Sequence, residues 1–361
     1  MRACGHRWAA VAARFRAPRR RAGRACAGLW LLLLAACAAR PPAPSLVRLD
    51  GQTMGSTWSV TAALPAALDE GTARAGLQAE LDRVVAQMST WEAGSDISRF
   101  NAAPAGTTVT LAADFRAVLA CALETARASG GAFDPTVLPL VEAWGFGPRG
   151  GAHQAPDAAT LAAAQARVGW SKLVLVEGSP QLTQPGGIAL DLSAIAPGYA
   201  ADLLVRWLQQ RGVRDYLVDV GGEFRASAAK PDGRPWIVGI ERPDHHGQEV
   251  LLAVVLRDQA LSTSGDYRRY YIDGGKRRSH IIDPRSGSPV THALASVSVL
   301  MPTAMQSDAI AKVLTVLGPD EGLAWARAHG IAALFLLRQD DGTFVERATP
   351  GFAAVRAERA P

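Results

Sequence analysis

Residues 261–290 read LSTSGDYRRYYIDGGKRRSHIIDPRSGSPV, and the interpretation of the chain starts from this stretch. Positions 262–265 combine serine, threonine and glycine, a composition typical of a turn. Two strand-like segments follow, and residues 273–275 join them with the sequence Asp-Gly-Gly. An Asp-Gly step between two such segments is typical of a β-hairpin. The sequence therefore predicts a hairpin whose second strand carries His280 and Asp283.

Basic side chains cluster around this hairpin. They are Arg268, Arg269, Lys276, Arg277 and Arg278. Guanidinium and ammonium groups beside hydroxyls and a histidine are suitable for binding a phosphorylated ligand. The alternative is that the small residues serve the turns, the basic residues form a solvated face and His280 is packed. These residues alone do not choose between the two interpretations.

The net charge of the chain comes from its N-terminal segment. The 361 residues carry a formal charge of +5, but residues 1–36 contain eight arginines and no acidic residue. The remaining chain has 30 basic against 33 acidic residues, a net charge of −3. A slightly acidic domain gives no electrostatic reason to expect nucleic acid as a partner. The hydrophobic fraction of 48% suffices for a sizeable core.

The N-terminal segment resembles a bacterial lipoprotein signal. Its arginines precede a short apolar run that ends Leu34-Ala35-Ala36-Cys37, in which the cysteine would become the lipidated first residue. The alternative is an ordinary signal peptide with a chance cysteine. We expect a signal peptide at 1–36, a lipid anchor at Cys37 and a proline-rich tether at 37–48. The protein would then lie on the periplasmic side of a bacterial membrane, inner or outer.

Alternating and helical patterns predict a mixed α and β domain. Strands are expected at 54–60, 173–176, 188–192, 216–226, 295–300 and in a last pair within 331–345, and helices at 72–89, 114–129, 157–167, up to 210 and from 305. The segments 173–176 and 188–192 should pair around a Gly-Gly turn, and the two glycines inside 216–226 suggest a bulge or a close ligand. Cys121 falls on a helical apolar face and is expected to be a buried structural thiol. We expect disorder at 348–361.

Two common nucleotide-binding motifs are absent from the sequence. Neither the glycine fingerprint of dinucleotide-binding folds nor a Walker A sequence occurs in the chain. The segment 191–202 nevertheless places small residues where a strand meets a helix, and the free N–H groups of such a junction can bind phosphate.

Seven ordered segments resemble the ApbE family of flavin transferases. They are residues 54–58 (MGSTW), 88–91 (MSTW), 131–137 (GAFDPTV), 191–202 (DLSAIAPGYAAD), 216–225 (YLVDVGGEFR), 279–287 (SHIIDPRSG) and 305–318 (MQSDAIAKVLTVLG). The resemblance implies one domain at 49–347 with an α+β, T-fold-like flavin transferase fold, in which antiparallel sheets carry helices packed on one side.

The resemblance also implies roles for residues. The FAD site would include Met54, Trp91, Ala132, Phe133, Asp134, Asp191, Pro197, Thr263, Ser264, Gly265 and Ile282. Mg²⁺ would be held by Asp308 and the Ala194 carbonyl, with Lys312 at a position that helps to hold the metal. His280 is the candidate base, and Asp283 either orients it or serves the turn before Pro284. Two positions depart from the family pattern, because Pro197 stands where lysine is usual and Lys312 where threonine is common.

The implied reaction is transfer of FMN from FAD to a Ser or Thr hydroxyl of an acceptor redox protein, with release of AMP. The acceptor would carry a segment of the form D-G-x-[TS]-G-[AS]-[TS], which this sequence does not itself show. Three alternatives remain open: hydrolysis of FAD to FMN and AMP, a non-enzymatic flavin-binding lipoprotein, or a site for another phosphorylated ligand.

Overall fold

The structure is a computed structural model that describes residues 45–151, 153–244 and 249–357. The predicted signal peptide, Cys37 and residues 38–44 of the predicted tether lie outside the described residues. No helix in the described ranges is both long enough and apolar enough to cross a bilayer.

The described chain contains both strands and helices. The strands are β1 (Val47–Thr53), β2 (Ser56–Ala62), β3 (Thr108–Thr110), β4 (Gln181–Thr183), β5 (Tyr216–Val220), β6 (Glu223–Ala226), β7 (Trp236–Glu241), β8 (Val250–Leu256), β9 (Ala260–Gly265), β10 (Tyr270–Asp273), β11 (Lys276–Ser279), β12 (Ile282–Asp283), β13 (Ser288–Pro289), β14 (Leu294–Met301), β15 (Ala332–Arg338) and β16 (Phe344–Ala348). The helices are α1 (Glu70–Met88), α2 (Asp96–Ala102), α3 (Ala113–Ala128), α4 (Leu138–Ala143), α5 (Ala158–Ala166), α6 (Ala196–Gln210), α7 (Ala304–Ala328) and α8 (Pro350–Ala353).

An eight-stranded antiparallel sheet forms the centre of the molecule, in the order β1-β2-β5-β6-β9-β14-β15-β16. Side chains alternate between its two faces, as strand geometry requires. In β15, Ala333, Phe335 and Leu337 join the core shared with α1, α3, α6 and α7. Leu334 and Leu336 point the other way, into a second core beneath the β7–β8 hairpin. The expected α+β fold is confirmed; the long helices pack on one face of the central sheet, whereas the short helix α8 packs on the other.

The predicted hairpin is present as β10 and β11, with the turn at Gly274 and Gly275. The expectation that its second strand carries His280 and Asp283 is wrong, because β11 ends at Ser279, His280 follows it, and Asp283 lies on β12, which pairs with β13.

Asp266, which is 5% exposed, anchors the β10–β11 hairpin to the central sheet. Its carboxylate lies 3.2 Å from Arg277 Nε on β11 and 2.9 Å from Arg338 on β15. This pair of buried contacts fixes the hairpin, and therefore His280, relative to the sheet.

Four other local predictions were wrong. Residues 262–265 are not a turn but part of β9, which pairs with β14. The segments 173–176 and 188–192 do not pair; instead β4 pairs with β3. The glycines at 221–222 do not lie inside one strand and form no bulge there; they make the turn between β5 and β6. The other expectation for them, a close ligand, stays a prediction, and both glycines line a cavity. The chain after 348 is ordered as far as 357, because Phe352 of α8 is fully buried; residues 358–361 lie outside the described part.

Helices α6 and α7 cross at close range in front of the sheet. A Cβ on Gly198 would lie 2.7 Å from the Ala304 carbonyl carbon, so only glycine fits at the crossing. Asp202 of α6 accepts hydrogen bonds from the first N–H groups of α7, at Ala304 (3.0 Å) and Met305 (2.9 Å). A carboxylate satisfies these donors and complements the helix dipole. The start of α7 is therefore fixed by α6.

Candidate active site

Two cavities lie side by side near the start of α7. The smaller, about 210 Å³, has several aromatic and apolar residues in a lining that also includes charged ones. Its lining includes Trp91, Ala132, Phe133, Asp134, Val141, Phe146, Asp191 and Ile282. The larger, about 410 Å³, is polar, and its lining includes Ser56, Asp219, Glu223, Gly239, Glu241, Thr263, Ser264, Gly265 and Asp308.

The two cavities share one wall. It consists of Ser193, Ala194, Arg269, His280 and Lys312. Three different parts of the chain therefore meet there: the junction before α6, the hairpin region and α7. The shared wall carries two basic side chains and a histidine, which suits a negatively charged group placed between the cavities.

The ring of His280 is held in a defined orientation. Its Nδ1 lies 3.0 Å from the carbonyl oxygen of Arg269. Because a carbonyl can only accept, Nδ1 donates and Nε2 is left with its lone pair. Burial lowers the pKa of His280 to about 3, and the charges of Lys312 and Arg269 act in the same direction. The ring is therefore neutral at ordinary pH and can accept a proton at Nε2.

Asp283 does not provide the contact that fixes this ring. Its carboxylate accepts from the backbone N–H of Arg285 at 2.9 Å and forms an ion pair with the Arg285 guanidinium. Of the two roles expected for Asp283, the described contacts support the turn role. The orienting partner of His280 is the Arg269 carbonyl.

Asp308 lies on the first turns of α7 and is 5% exposed. Its Oδ2 accepts a hydrogen bond from Gly198 N–H at 3.1 Å. Burial raises the pKa of Asp308 to about 7, and Lys312, one helical turn later, opposes that shift. Burial also lowers the pKa of Lys312, while the carboxylates of Asp308, Asp191 and Glu223 favour its charged form.

Glu223 is a site residue that the sequence analysis missed. Its side chain is 8% exposed, and its Oε2 has no hydrogen-bond partner among the described residues. Burial raises its pKa well above the usual value, and the charges of Asp308 and Asp219 add to that effect. Its sequence signal was its place directly after Gly221 and Gly222 in the segment 216–225, which resembles the family but was interpreted as a strand.

The donors around Asp308 fit a hard cation such as Mg²⁺. They are carboxylate and carbonyl oxygens, and the unpartnered buried oxygen of Glu223 lines the same cavity. No cluster of three acidic, histidine or cysteine side chains suited to a metal occurs in the described ranges. A magnesium ion here would therefore use one or two carboxylates together with water and ligand phosphate, its usual coordination.

The remaining residues predicted to bind FAD lie partly in the cavity linings and partly outside them. Both Asp134 oxygens accept hydrogen bonds within the chain, from Thr136 and from Trp170 N–H, so Asp134 shapes the cavity wall. Trp91 is 62% exposed at the mouth of the smaller cavity. Met54, at the β1–β2 turn with a φ of 51°, and Pro197, in the first turn of α6, are outside the lining of both cavities.

The α+β fold and the site of two joined cavities can be compared with those of known proteins. The model of the ApbE family matches residues 54–335, so the chain is a member of the ApbE family. The crystal structure of the Pseudomonas stutzeri flavinyl transferase ApbE in its apo form superposes with a TM-score of 0.80 at 36% identity, covering 88% of this chain and 98% of that one.

Curated relatives match over similar lengths. The FAD:protein FMN transferase of Haemophilus influenzae is 37% identical over 89% of this chain and 94% of its own. That of Klebsiella pneumoniae is 38% identical over 83% of this chain and 87% of its own.

Proposed function

We propose that this chain is an FAD:protein FMN transferase, which moves FMN from FAD to a Ser or Thr hydroxyl of an acceptor protein and releases AMP. The observation that carries the proposal is the pair of cavities joined at a wall that bears Arg269, His280 and Lys312. FAD has the matching shape, with two ring systems connected by a diphosphate. The names of the curated relatives agree with this assignment.

The aromatic cavity suits the isoalloxazine ring. Trp91 and Phe133 line it, and an indole at its mouth can stack on a flat heterocycle. The polar cavity is left for the adenosine half and for the approach of the acceptor. The diphosphate would then lie against Arg269 and Lys312, whose charges compensate its own.

In the reaction, the acceptor oxygen attacks the FMN-side phosphorus, and the bond from that phosphorus to the AMP oxygen breaks. His280 Nε2 takes the hydroxyl proton, because the Arg269 carbonyl occupies Nδ1. AMP leaves with the electron pair of the broken bond. Asp308, the Ala194 carbonyl and Glu223 would hold Mg²⁺, which when bound neutralises phosphate charge.

The test uses the full-length chain, FAD, Mg²⁺ and a peptide that contains the implied acceptor segment. Transfer gives a peptide that stays fluorescent on a denaturing gel, together with one AMP per label, and both products disappear with EDTA. AMP without a fluorescent peptide would indicate FAD hydrolysis. Binding of FAD without either product would indicate a flavin-binding protein and overturn the proposal.

We also propose attachment to the periplasmic face of a bacterial membrane through a lipid on Cys37. The support for this proposal is the position of the cysteine directly after a short apolar run in the sequence. Growth with a radiolabelled fatty acid should label the protein, and Cys37→Ser should abolish the label. Labelling that survives the substitution would contradict the anchor.

A further inference from the structure

The β7–β8 hairpin has one closed edge and one open edge. On the β8 side, Val255 N–H donates to Val355 O and Ala357 N–H donates to Ala253 O, both at 3.0 Å. The C-terminal segment therefore continues the sheet beyond β8, with Val254 opposite Arg356. The β8 edge is unavailable to any further strand.

The same hydrogen bonds fix the direction of the backbone groups in β7. The backbone N–H and C=O groups of Ala253 and Val255 point toward the C-terminal segment. The backbone groups of Val254, between them, therefore point toward β7, where Val254 is opposite Val238. Backbone groups alternate along an antiparallel pair. The N–H and C=O of Ile237 and Gly239 must therefore point away from β8, to the open side.

Nothing in the described ranges pairs with this open edge. The groups of Ile237 and Gly239 have no backbone partner there, and both residues are exposed, Ile237 at 48%. Proteins usually protect such edges with lysine, proline or a covering segment. The sequence of β7, WIVGIE, contains neither lysine nor proline. Its one charged residue, Glu241, stands at the end of the strand and is paired with Arg268, so the edge at Ile237 and Gly239 is open to an added strand.

The open edge of β7 adjoins the larger cavity. Gly239, Ile240 and Glu241 form part of the wall of the larger cavity, which also contains His280 and Lys312. A strand added to β7 would therefore run along that cavity. In an extended segment every second side chain points the same way. A hydroxyl residue could enter the cavity while the neighbouring backbone groups bond to Ile237 and Gly239.

We propose that the β7 edge receives the hydroxyl-bearing segment of the acceptor protein as an added strand, an inference that rests on the proposed function. Main-chain pairing of this kind recognises an extended peptide and leaves specificity to alternate side chains. The continuity of the edge with the cavity of His280 selects the acceptor as the occupant, since it is the protein substrate whose hydroxyl must reach that histidine.

The decisive experiment uses backbone-methylated acceptor peptides with the full-length chain, FAD and Mg²⁺. In one peptide, N-methyl groups replace the N–H at residues an odd number of positions from the acceptor Thr; in the other, at residues an even number away. An added strand presents alternate N–H groups to β7, so one series should raise the KM for peptide at least about tenfold and the other should match the unmodified peptide.

A protein variant provides an independent check. Ile237→Pro removes an outward N–H without removing a bond to β8, and proline is tolerated at such edge positions. We expect a higher KM for peptide with an unchanged FAD affinity, whereas Ile237→Ala, which keeps the N–H, should retain the native KM more closely. The N-methyl series decides the question even if the proline variant does not fold.

If the two methylated peptides have the same KM, the proposal of an added strand is overturned, while the proposed function is left intact. An Ile237→Pro variant that folds and has a native KM for peptide would do the same. Failure of the native chain to label any peptide would overturn the proposed function, and the docking inference with it.

Discussion

The N–H of Gly198 donates a hydrogen bond to Oδ2 of Asp308 at 3.1 Å, across the crossing of α6 and α7. This bond joins the loop that contributes Ala194 to the helix that carries both Asp308 and Lys312. The candidate metal and diphosphate groups are thus positioned by the packing of two helices.

Gly198→Ala should destabilise the protein. The added Cβ would lie 2.7 Å from a backbone carbon of Ala304 and 2.8 Å from the Asp308 Cβ, and neither can move freely. We expect a loss of about 1–3 kcal/mol in the free energy of unfolding, measured by urea denaturation. Gly94→Ala is the matched control, because nothing lies within 4 Å of its Cβ. Equal midpoints for both variants would contradict the close packing.

Lys312→Thr should weaken FAD binding in EDTA by roughly ten- to hundredfold, because in the proposed function the lysine would make a charge-assisted contact to the diphosphate. Position 197 adjoins Gly198, which contacts Asp308, so a lysine there can reach the same region. Pro197→Lys in the Lys312→Thr background should partly restore affinity. Flavin fluorescence titration measures both effects.

Lys230→Thr is the control for the Lys312 experiment, since the Lys230 ammonium lies over Trp236, away from the cavity lining. If the substitutions at 197 and 312 change FAD affinity independently, a lysine at position 197 does not replace the charge of Lys312.

The neutral ring of His280, half-buried in the wall between the cavities, should make stability depend on pH. An unfolded histidine titrates near 6.5, whereas burial lowers the pKa of His280 to about 3. Its contribution is complete above pH 6.5 and declines as the pH falls toward 3, because the unfolded chain binds the proton first. His280→Gln should flatten this acid limb, as followed by urea unfolding from pH 4 to 8.

The same histidine should govern transfer. His280→Gln removes the proton acceptor, so we expect a rate loss of about 10²–10⁴-fold with FAD affinity retained. The native rate should show no decline from His280 protonation between pH 8 and 5. A rate that falls as the pH drops through 6.5 and follows the protonation of His280 would mean that the pKa of this residue is not lowered.

Trp91→Ala should weaken FAD binding by a factor of about 2–10, the effect of one aromatic stacking contact. At 62% exposure the indole contributes little to the core, so the unfolding midpoint should be unchanged. Val174→Ala, at a residue 72% exposed, is the control and should alter neither property. Unchanged FAD affinity in Trp91→Ala would exclude stacking at this mouth.

Local patterns predicted the hairpin and most helices because their signals lie within a few residues. The helix predicted at 72–89 is observed at Glu70–Met88, and the hairpin turn follows from its Gly-Gly step. Residues 262–265 were misassigned because their composition favours a turn. Pairing with β14, including the 2.8 Å contact between the hydroxyls of Thr263 and Ser298, makes them a strand.

The part of the site that sequence reasoning could not supply depends on contacts between distant segments. Glu223 interacts with Asp308 although 85 positions separate them. The two meet because β6 lies next to β9 in the sheet and α7 packs across both, an arrangement that no local pattern contains. The role of the Arg269 carbonyl was missed for a different reason, because a backbone group leaves no mark on residue type.

The capping of α7 by Asp202 has a consequence for ligand entry. With Ala304 and Met305 held by that carboxylate and Asp308 held by Gly198, the first turns of α7 are preorganised before FAD arrives. The conformational entropy of ordering these turns is lost during folding, so binding need not supply it. Adaptation by the protein is accordingly expected at the exposed mouth near Trp91, while the centre of the site receives its ligand as a rigid surface.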